Sequence, residues 1–165
     1  MMTSPALMMP TKITAVQLER KAIVYIRQSS LKQVREHGGS QLTQRALVER
    51  AQSLGWHPER IEVLDGDLGQ SATATAGREA FKALAAAVAL GHVGIIFGWD
   101  ASRLARNNAD WYQLLDLAAL FGTLIADAEG VYDPRVYNDR LLLGLQGTLS
   151  EAELHLLHQR LKAGR

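Results

Sequence analysis

The chain has 165 residues, of which 47% are hydrophobic and 21% charged, and it contains no cysteine. This composition indicates one globular domain and excludes a disulfide-stapled fold or a thiolate metal site. The formal net charge is +1, so the charge balance alone does not indicate a nucleic-acid binder, which usually carries a basic excess. No run of about 18 or more apolar residues predicts a membrane span, and no signal peptide is evident, so a cytoplasmic protein is expected.

Residues 1–20 are predicted to form a flexible tail, and apolar runs then alternate with helical patterns. The runs predict buried strands at Lys21–Arg27, Ile61–Leu64, Val93–Phe97 and Thr123–Ala126. The intervening patterns predict a helix from an N-cap at Ser40 to Gly55, a loop over Gly66–Gly77, a helix from Arg78 to Gly91, and a helix over Trp111–Ala118. This alternation predicts an α/β fold, with a mostly parallel sheet of four to five strands flanked by helices over residues 21–137.

Residues 138–165 are predicted to form one long C-terminal helix with two apolar stripes. Leu142 and Leu145 belong to one stripe, and Leu143 belongs to the other. A helix that covers only its own domain needs a single stripe, so the second indicates another subunit and an oligomerisation helix. Gly144 and Gly147 each cost about 1 kcal/mol relative to alanine inside a helix. Close approach of another helix explains that cost, although sequence drift explains it as well.

Several side chains that suit phosphate chemistry follow the predicted strands. In open α/β sheets, ligands bind at the carboxyl ends of the strands. Guanidinium groups there bind phosphate oxygens and stabilise charge that develops at phosphorus. A single arginine at a strand end is usually solvated, and a serine there is usually a turn residue, so the prediction depends on their convergence. The candidates are the hydroxyl of Ser29 and the arginines Arg27, Arg78, Arg103 and Arg106.

The order of these residues resembles the signature of the serine recombinases, the resolvase/invertase family. The resemblance runs from about residue 21 to the end of the chain and also includes features of members with large C-terminal extensions. The matching positions are Tyr25-x-Arg27-x-Ser29, Gln33, Gln44, Asp65-x-x-x-Gly69, Arg78, Arg103-Leu104-Ala105-Arg106 and Ser150-Glu151-Ala152-Glu153.

The resemblance implies that Ser29 attacks a DNA phosphodiester and forms a 5′-phosphoserine link, followed by strand exchange and religation without a metal or other cofactor. It implies a homodimer that assembles into a tetramer on double-stranded DNA through the C-terminal helix, in a bacterial, phage or mobile-element protein. The helix is expected to continue into a DNA-binding region beyond Arg165, which would supply most of the affinity for the DNA backbone. The implied supporting residues are Tyr25, Gln33, Gln44, Asp65, Ser102 and Glu153.

Two departures from the family pattern leave other functions open. Ser102 stands where many members have aspartate, and Leu154 stands where an arginine commonly follows the final glutamate. These departures make a catalytically inert oligomerisation module of the same fold an alternative. A second alternative is a metal-dependent phosphodiesterase, in which Asp65, Asp67 and Asp100 hold Mg²⁺.

Overall fold

The computed structural model describes residues 12–26, 37–65, 74–98, 108–128 and 130–148, together with Leu156, Gln159 and Arg160. For residues 37–41, 65, 74–78, 108, 147 and 148 it describes the backbone alone. No helix among these residues has both the length and the hydropathy needed to cross a lipid bilayer.

A five-stranded sheet forms the centre of the molecule, in the order β2-β1-β3-β4-β5. The first four strands are parallel, and β5 pairs antiparallel with β4. The apolar, β-branched runs form these strands because both faces of the sheet are covered. The strands are β1 (Lys21–Ile26), β2 (Ile61–Asp65), β3 (Val93–Phe97), β4 (Leu124–Ala126) and β5 (Val131–Tyr132).

Helices cover both faces of the sheet, and the predicted fold class is confirmed. The helices are α1 (Ala15–Leu18), α2 (His37–Ser53), α3 (Ala74–Ala89), α4 (Asn108–Phe121) and α5 (Tyr137–Thr148), with a 3-10 turn at Pro58–Arg60. The predicted end of α3 is confirmed as well. Gly91 adopts a φ of 76° there, and the amide of His92 donates to the carbonyl of Ala87 to close the helix.

Two local predictions were wrong, and one short strand was not located. Helix α2 begins at His37, so Ser40 lies inside the helix and is not its N-cap. Gly38 and Gly39 lie inside the helix as well, because two glycines near one end cost less than the rest of a 17-residue helix gains by packing. Helix α3 begins at Ala74, within the predicted loop. Strand β5 was not located, because two residues are too few to show a period.

The two faces of the sheet have separate hydrophobic cores. On the first face, α1 and α2 pack against β1, β3 and β4 around Leu47, Trp56 and Phe97. On the second face, α3, α4 and α5 pack around Leu84, Trp111 and Leu143. We call these the α2 face and the α4 face.

Residues 12–20, which we call the N-terminal segment, pack onto the sheet. Ile13 and Gln17 are buried, so this part of the chain is not the flexible tail that was predicted. Gly94 in β3 makes the packing possible, because a Cβ atom there would lie 2.2 Å from the carbonyl oxygen of Gln17. The register of β1 against β3 shifts between Lys21 and Ala22, beside Gly94. A glycine at a strand irregularity thus admits the backbone of α1.

Helix α5 has one apolar side inward and another outward, as the two stripes predicted. Leu143 is fully buried against the α4 face, whereas Leu142 is 45% exposed and Leu145 is 38% exposed. Leu141 and Leu156 are exposed as well. The outward apolar side therefore has no cover among the residues that the structure describes.

Candidate active site

The carboxyl ends of β1, β2 and β3 meet at one edge of the sheet. Ile26 is in register with Asp65, and Val24 is in register with Phe97. The amide of Gly98 then donates to the carbonyl of Ala126, at a distance of 3.0 Å, where β4 ends. The three parallel strands therefore deliver the chain to the same edge, which is where open α/β sheets bind ligands.

Tyr25 and Gln44 are the predicted site residues whose side chains the structure describes. Tyr25 lies in β1, is 2% exposed, and belongs to the core of the α4 face. Its ring packs beneath the carboxyl edge, one residue before the end of the strand. Gln44 is half-buried on α2. The structure thus places Tyr25 in the core, and its supporting role at the site stays a prediction.

Asp65 and Arg78 are described by their backbones alone. Asp65 is the last residue of β2, at the carboxyl edge. Arg78 lies within α3 and not in a loop before it, because the helix begins at Ala74. The predicted start of this helix at Arg78 is therefore four residues too late.

The other predicted site residues lie outside the described part of the chain, and their convergence remains a prediction. Most of them follow Ile26 or Gly98 in the sequence, and these two residues stand at or directly after the ends of the neighbouring strands β1 and β3. Glu153 follows α5. These residues are Arg27, Ser29, Gln33, Ser102, Arg103, Arg106 and Glu153. Asp67 and Asp100, proposed for a metal-dependent alternative, also lie outside it, and no group of three or more metal-ligating side chains lies among the described residues.

One acidic residue at this edge was not predicted. Asp127 directly follows β4, is 6% exposed, and accepts a hydrogen bond from the amide of Gly130 at 2.9 Å. Its own amide donates to the carbonyl of Gly130. Asp127 therefore closes the turn between β4 and β5 and places a buried carboxyl group beside the end of β3. An aspartate followed three residues later by glycine, after an apolar run, was the available signal.

The fold and this edge define an α/β domain of the resolvase type, and the sequence identifies the family directly. Residues 22–165 match the family description "Resolvase, N terminal domain". The chain therefore belongs to the resolvase family, as the motifs predicted, and corresponds to its N-terminal domain.

Known proteins similar to the chain include a relative in sequence and a solved structure. An uncharacterised protein, y4bA/y4pH from Sinorhizobium fredii (strain NBRC 101917 / NGR234), is 56% identical over 153 residues, which are 93% of this chain and 22% of that protein. The chain thus spans about a fifth of this relative's length. The crystal structure of a resolvase family site-specific recombinase from Streptococcus pneumoniae superposes with a TM-score of 0.59 at 22% identity, covering 88% of this chain and 95% of that one. At this identity the second similarity shows the fold alone.

Proposed function

We propose that the chain is the catalytic domain of a DNA site-specific recombinase that cuts and rejoins strands through Ser29. The Ser29 Oγ attacks the phosphorus of a DNA phosphodiester, forming a serine–phosphate bond on the 5′ side. The bond from phosphorus to the 3′ oxygen breaks, and the leaving oxygen acquires a proton to become a 3′-hydroxyl. After strand exchange, a 3′-hydroxyl attacks the phosphoserine and releases Ser29. Bond energy is retained in the ester, so no nucleotide cofactor is required.

The observation that carries this proposal is the adjacency of β1 and β3 in parallel register, with Val24 beside Phe97. The sequence after β1 contains Arg27 and Ser29, and the sequence after β3 contains Arg103 and Arg106. The strand topology and the family motif both support the proposal that these residues meet at one edge. The family match over residues 22–165 supports the same assignment.

The remaining roles are those that the family resemblance and the charge of each side chain suggest. Arg27, Arg103 and Arg106 bind the non-bridging oxygens and stabilise the charge of the five-coordinate phosphorus. Arg78 binds the same phosphate from α3. Positive charge beside Ser29 lowers the cost of forming its alkoxide. In the supporting set, Tyr25 packs under the edge, and Gln33 and Gln44 position groups by hydrogen bonds. Ser102 stands where many members have aspartate, and Asp65 orients an arginine. Glu153 acts near the interface of a dimer that assembles into a tetramer through the helix containing α5.

The covalent intermediate provides the test. The full natural protein that contains the chain is incubated with randomly nicked genomic DNA of its own organism, denatured, and digested with trypsin and nuclease. Trypsin releases the peptide Gln28–Lys32, which contains both Ser29 and Ser30. We expect mass spectrometry to find this peptide with a nucleotide on Ser29. Ser29→Ala should abolish the adduct, and Ser30→Ala is the matched control that should retain it.

An adduct that survives Ser29→Ala would refute the proposed nucleophile. Cleavage that disappears with a chelator and returns with Mg²⁺ would favour the metal-dependent phosphodiesterase. Normal assembly on DNA with neither adduct nor cleavage would favour the inert module.

A further inference from the structure

We infer that Lys12 is a positioning residue for helix α5, and that the N-terminal segment is an intramolecular strap that fixes the first turn of this helix. The segment precedes residue 22, where the match to the resolvase family begins. It is nevertheless built into the fold at several points. Its contacts extend from the sheet to β5 and to α5.

The strap is first attached to Trp56 and to the end of α4. The indole nitrogen of Trp56 donates to the carbonyl of Gln17 at 3.2 Å. The side-chain amide of Gln17 donates to the carbonyl of Gly122 at 3.1 Å, at the end of α4. Arg20 donates to the carbonyl of Phe121 at 2.6 Å. These bonds satisfy carbonyls at the end of α4 and hold Gln17 in a buried position, so the strap has one defined path across the sheet.

Lys12, at the start of this path, connects the strap to β5 and α5. Its ammonium lies 2.8 Å from a carboxylate oxygen of Asp139 and 2.8 Å from the carbonyl oxygen of Val131. It also lies 6.0 Å from the ring centre of Tyr132, within the range of a cation–π interaction. The Lys12 side chain is 33% exposed and that of Asp139 is 11% exposed, so water screens this pair less than it screens a surface pair.

Asp139 transmits the contact to the helix. It lies in the first turn of α5 and accepts a hydrogen bond from the amide of Asp133 at 2.9 Å. A carboxylate at this position interacts favourably with the positive end of the helix dipole. Asp139 therefore joins the loop before the helix, the first helical turn and the ammonium of Lys12. Removing the ammonium leaves a largely buried carboxylate without its charged partner, which weakens the hold on this turn.

The remaining described contacts of α5 lie further along the helix or on its exposed side. Trp111 donates to the carbonyl of Leu143 at 2.8 Å, and Arg140 pairs with Asp116 at 2.6 Å. Helix α5 is thus attached to α4 by side chains of α4 and to the strap, at its start, through Lys12. Together they set the direction in which Leu141 and Leu145 face outward. A role of these outward leucines in assembly rests on the proposed function, whereas the contacts of the strap do not.

Hydrogen exchange of the 165-residue chain, without DNA, tests the strap. Lys12→Met keeps the length of the side chain and removes its charge. We expect amides of residues 139–145 to exchange about tenfold faster, as loss of a half-buried charged contact predicts, with β1 and α2 unchanged. Lys12→Arg should restore slow exchange. Lys21→Met is the matched control, because its ion pair with Glu62 is exposed on both sides, and it should leave α5 unchanged.

Two outcomes would overturn the inference. Unchanged exchange in α5 for Lys12→Met would mean that the contact does not position the helix. Unfolding of this variant, or faster exchange spread equally over β1 and α2, would mean that Lys12 contributes only to global stability. A strap confirmed by exchange in a chain that forms no Ser29 adduct would leave the inference intact and contradict only the proposed function.

Discussion

Each face of the sheet is closed by a buried tryptophan that holds a chain segment through a backbone carbonyl. On the α2 face, Trp56 is 1% exposed and donates to Gln17 in α1. On the α4 face, Trp111 is also 1% exposed and donates to Leu143 in α5. The two hydrogen bonds are chemically alike, but the segments that accept them differ. Gln17 is buried within the fold, whereas the far side of α5 presents exposed leucines.

The segment on the α2 face therefore completes the core, whereas the helix on the α4 face completes the core and also presents an exposed surface. The segment held by Trp56 contributes apolar and polar groups to the fold and fits against Gly94 without room for a side chain. The helix held by Trp111 contributes Leu143 to the core and keeps Leu141, Leu142 and Leu145 outward. We therefore expect changes on the α2 face to act mainly on stability. Changes on the α4 face should act on stability and also on the outward side of α5.

The largest expected effect is on the α2 face, from Gly94→Ala. The new Cβ atom would lie 2.2 Å from the carbonyl oxygen of Gln17 and 2.8 Å from its carbon. Backbone atoms cannot rotate away, so α1 must separate from β3 or the strand must shift. We expect a loss of about 3 kcal/mol in the free energy of unfolding, at the upper end for overpacking. Urea denaturation measures it.

Gly144→Ala is the matched control on the α4 face. Its Cβ atom would lie 3.8 Å from Cε1 of Tyr112, an ordinary van der Waals distance. Because alanine favours a helix interior, we expect a gain of about 0.5–1 kcal/mol. Equal destabilisation by both substitutions would contradict the close packing inferred for Gly94.

Substituting each tryptophan by phenylalanine tests the comparison directly. Trp56→Phe and Trp111→Phe each remove an indole donor and leave a cavity, at a cost of about 2 kcal/mol. The global losses should be similar, but hydrogen exchange should differ in location. We expect Trp56→Phe to loosen mainly α1 and β3, with a smaller effect on the first turn of α5 through Lys12, and Trp111→Phe to loosen α5 around Leu143. The same exchange pattern in both variants would mean that the two tryptophans do not hold separate segments.

The elements around these tryptophans differ in how far the sequence predicts them. Strand β3 and the end of α3 at Gly91 were predicted because a continuous apolar run and a helix-ending glycine are local signals. The N-terminal segment was not, because a four-residue helix has no period and Gln17 is buried by partners distant in sequence. The capping pair of Thr14 and Gln17 was a local signal for the start of α1, but it does not show that Gln17 is buried.

Some features of the candidate site were likewise predictable from the sequence, and others were not. The motif residues near Ser29 and Arg103 were recognisable because each group is contiguous in the sequence. Parallel strands then predicted a shared edge, and the adjacency of β1 and β3 agrees. Asp127 was missed because its burial depends on β5, a strand too short to predict. The ion pair between Lys12 and Asp139 joins residues at opposite ends of the chain, which no local pattern indicates.

The smallest expected effect concerns the loop that leads into α5. Burial by itself would raise the pKa of Asp133. Hydrogen bonds from the side chain and amide of Arg135, with the charges of Arg135 and Lys12, outweigh burial and hold this pKa below its usual range. A depressed pKa in the folded state contributes stability above the unfolded value of about 3.9, and this stability is lost as the pH falls through the folded value.

We therefore expect the free energy of unfolding to fall as the pH is lowered below about 4, and to fall less steeply in Asp133→Asn. At neutral pH this variant should lose about 1 kcal/mol, because charged hydrogen bonds to the half-exposed Arg135 are replaced by weaker ones. Urea denaturation over a pH series measures both quantities. Asp116→Asn removes an exposed ion pair and should cost less than about 0.5 kcal/mol at neutral pH. Parallel curves for Asp133→Asn and the unmodified chain would show that this carboxylate does not stabilise the start of α5 through its charge.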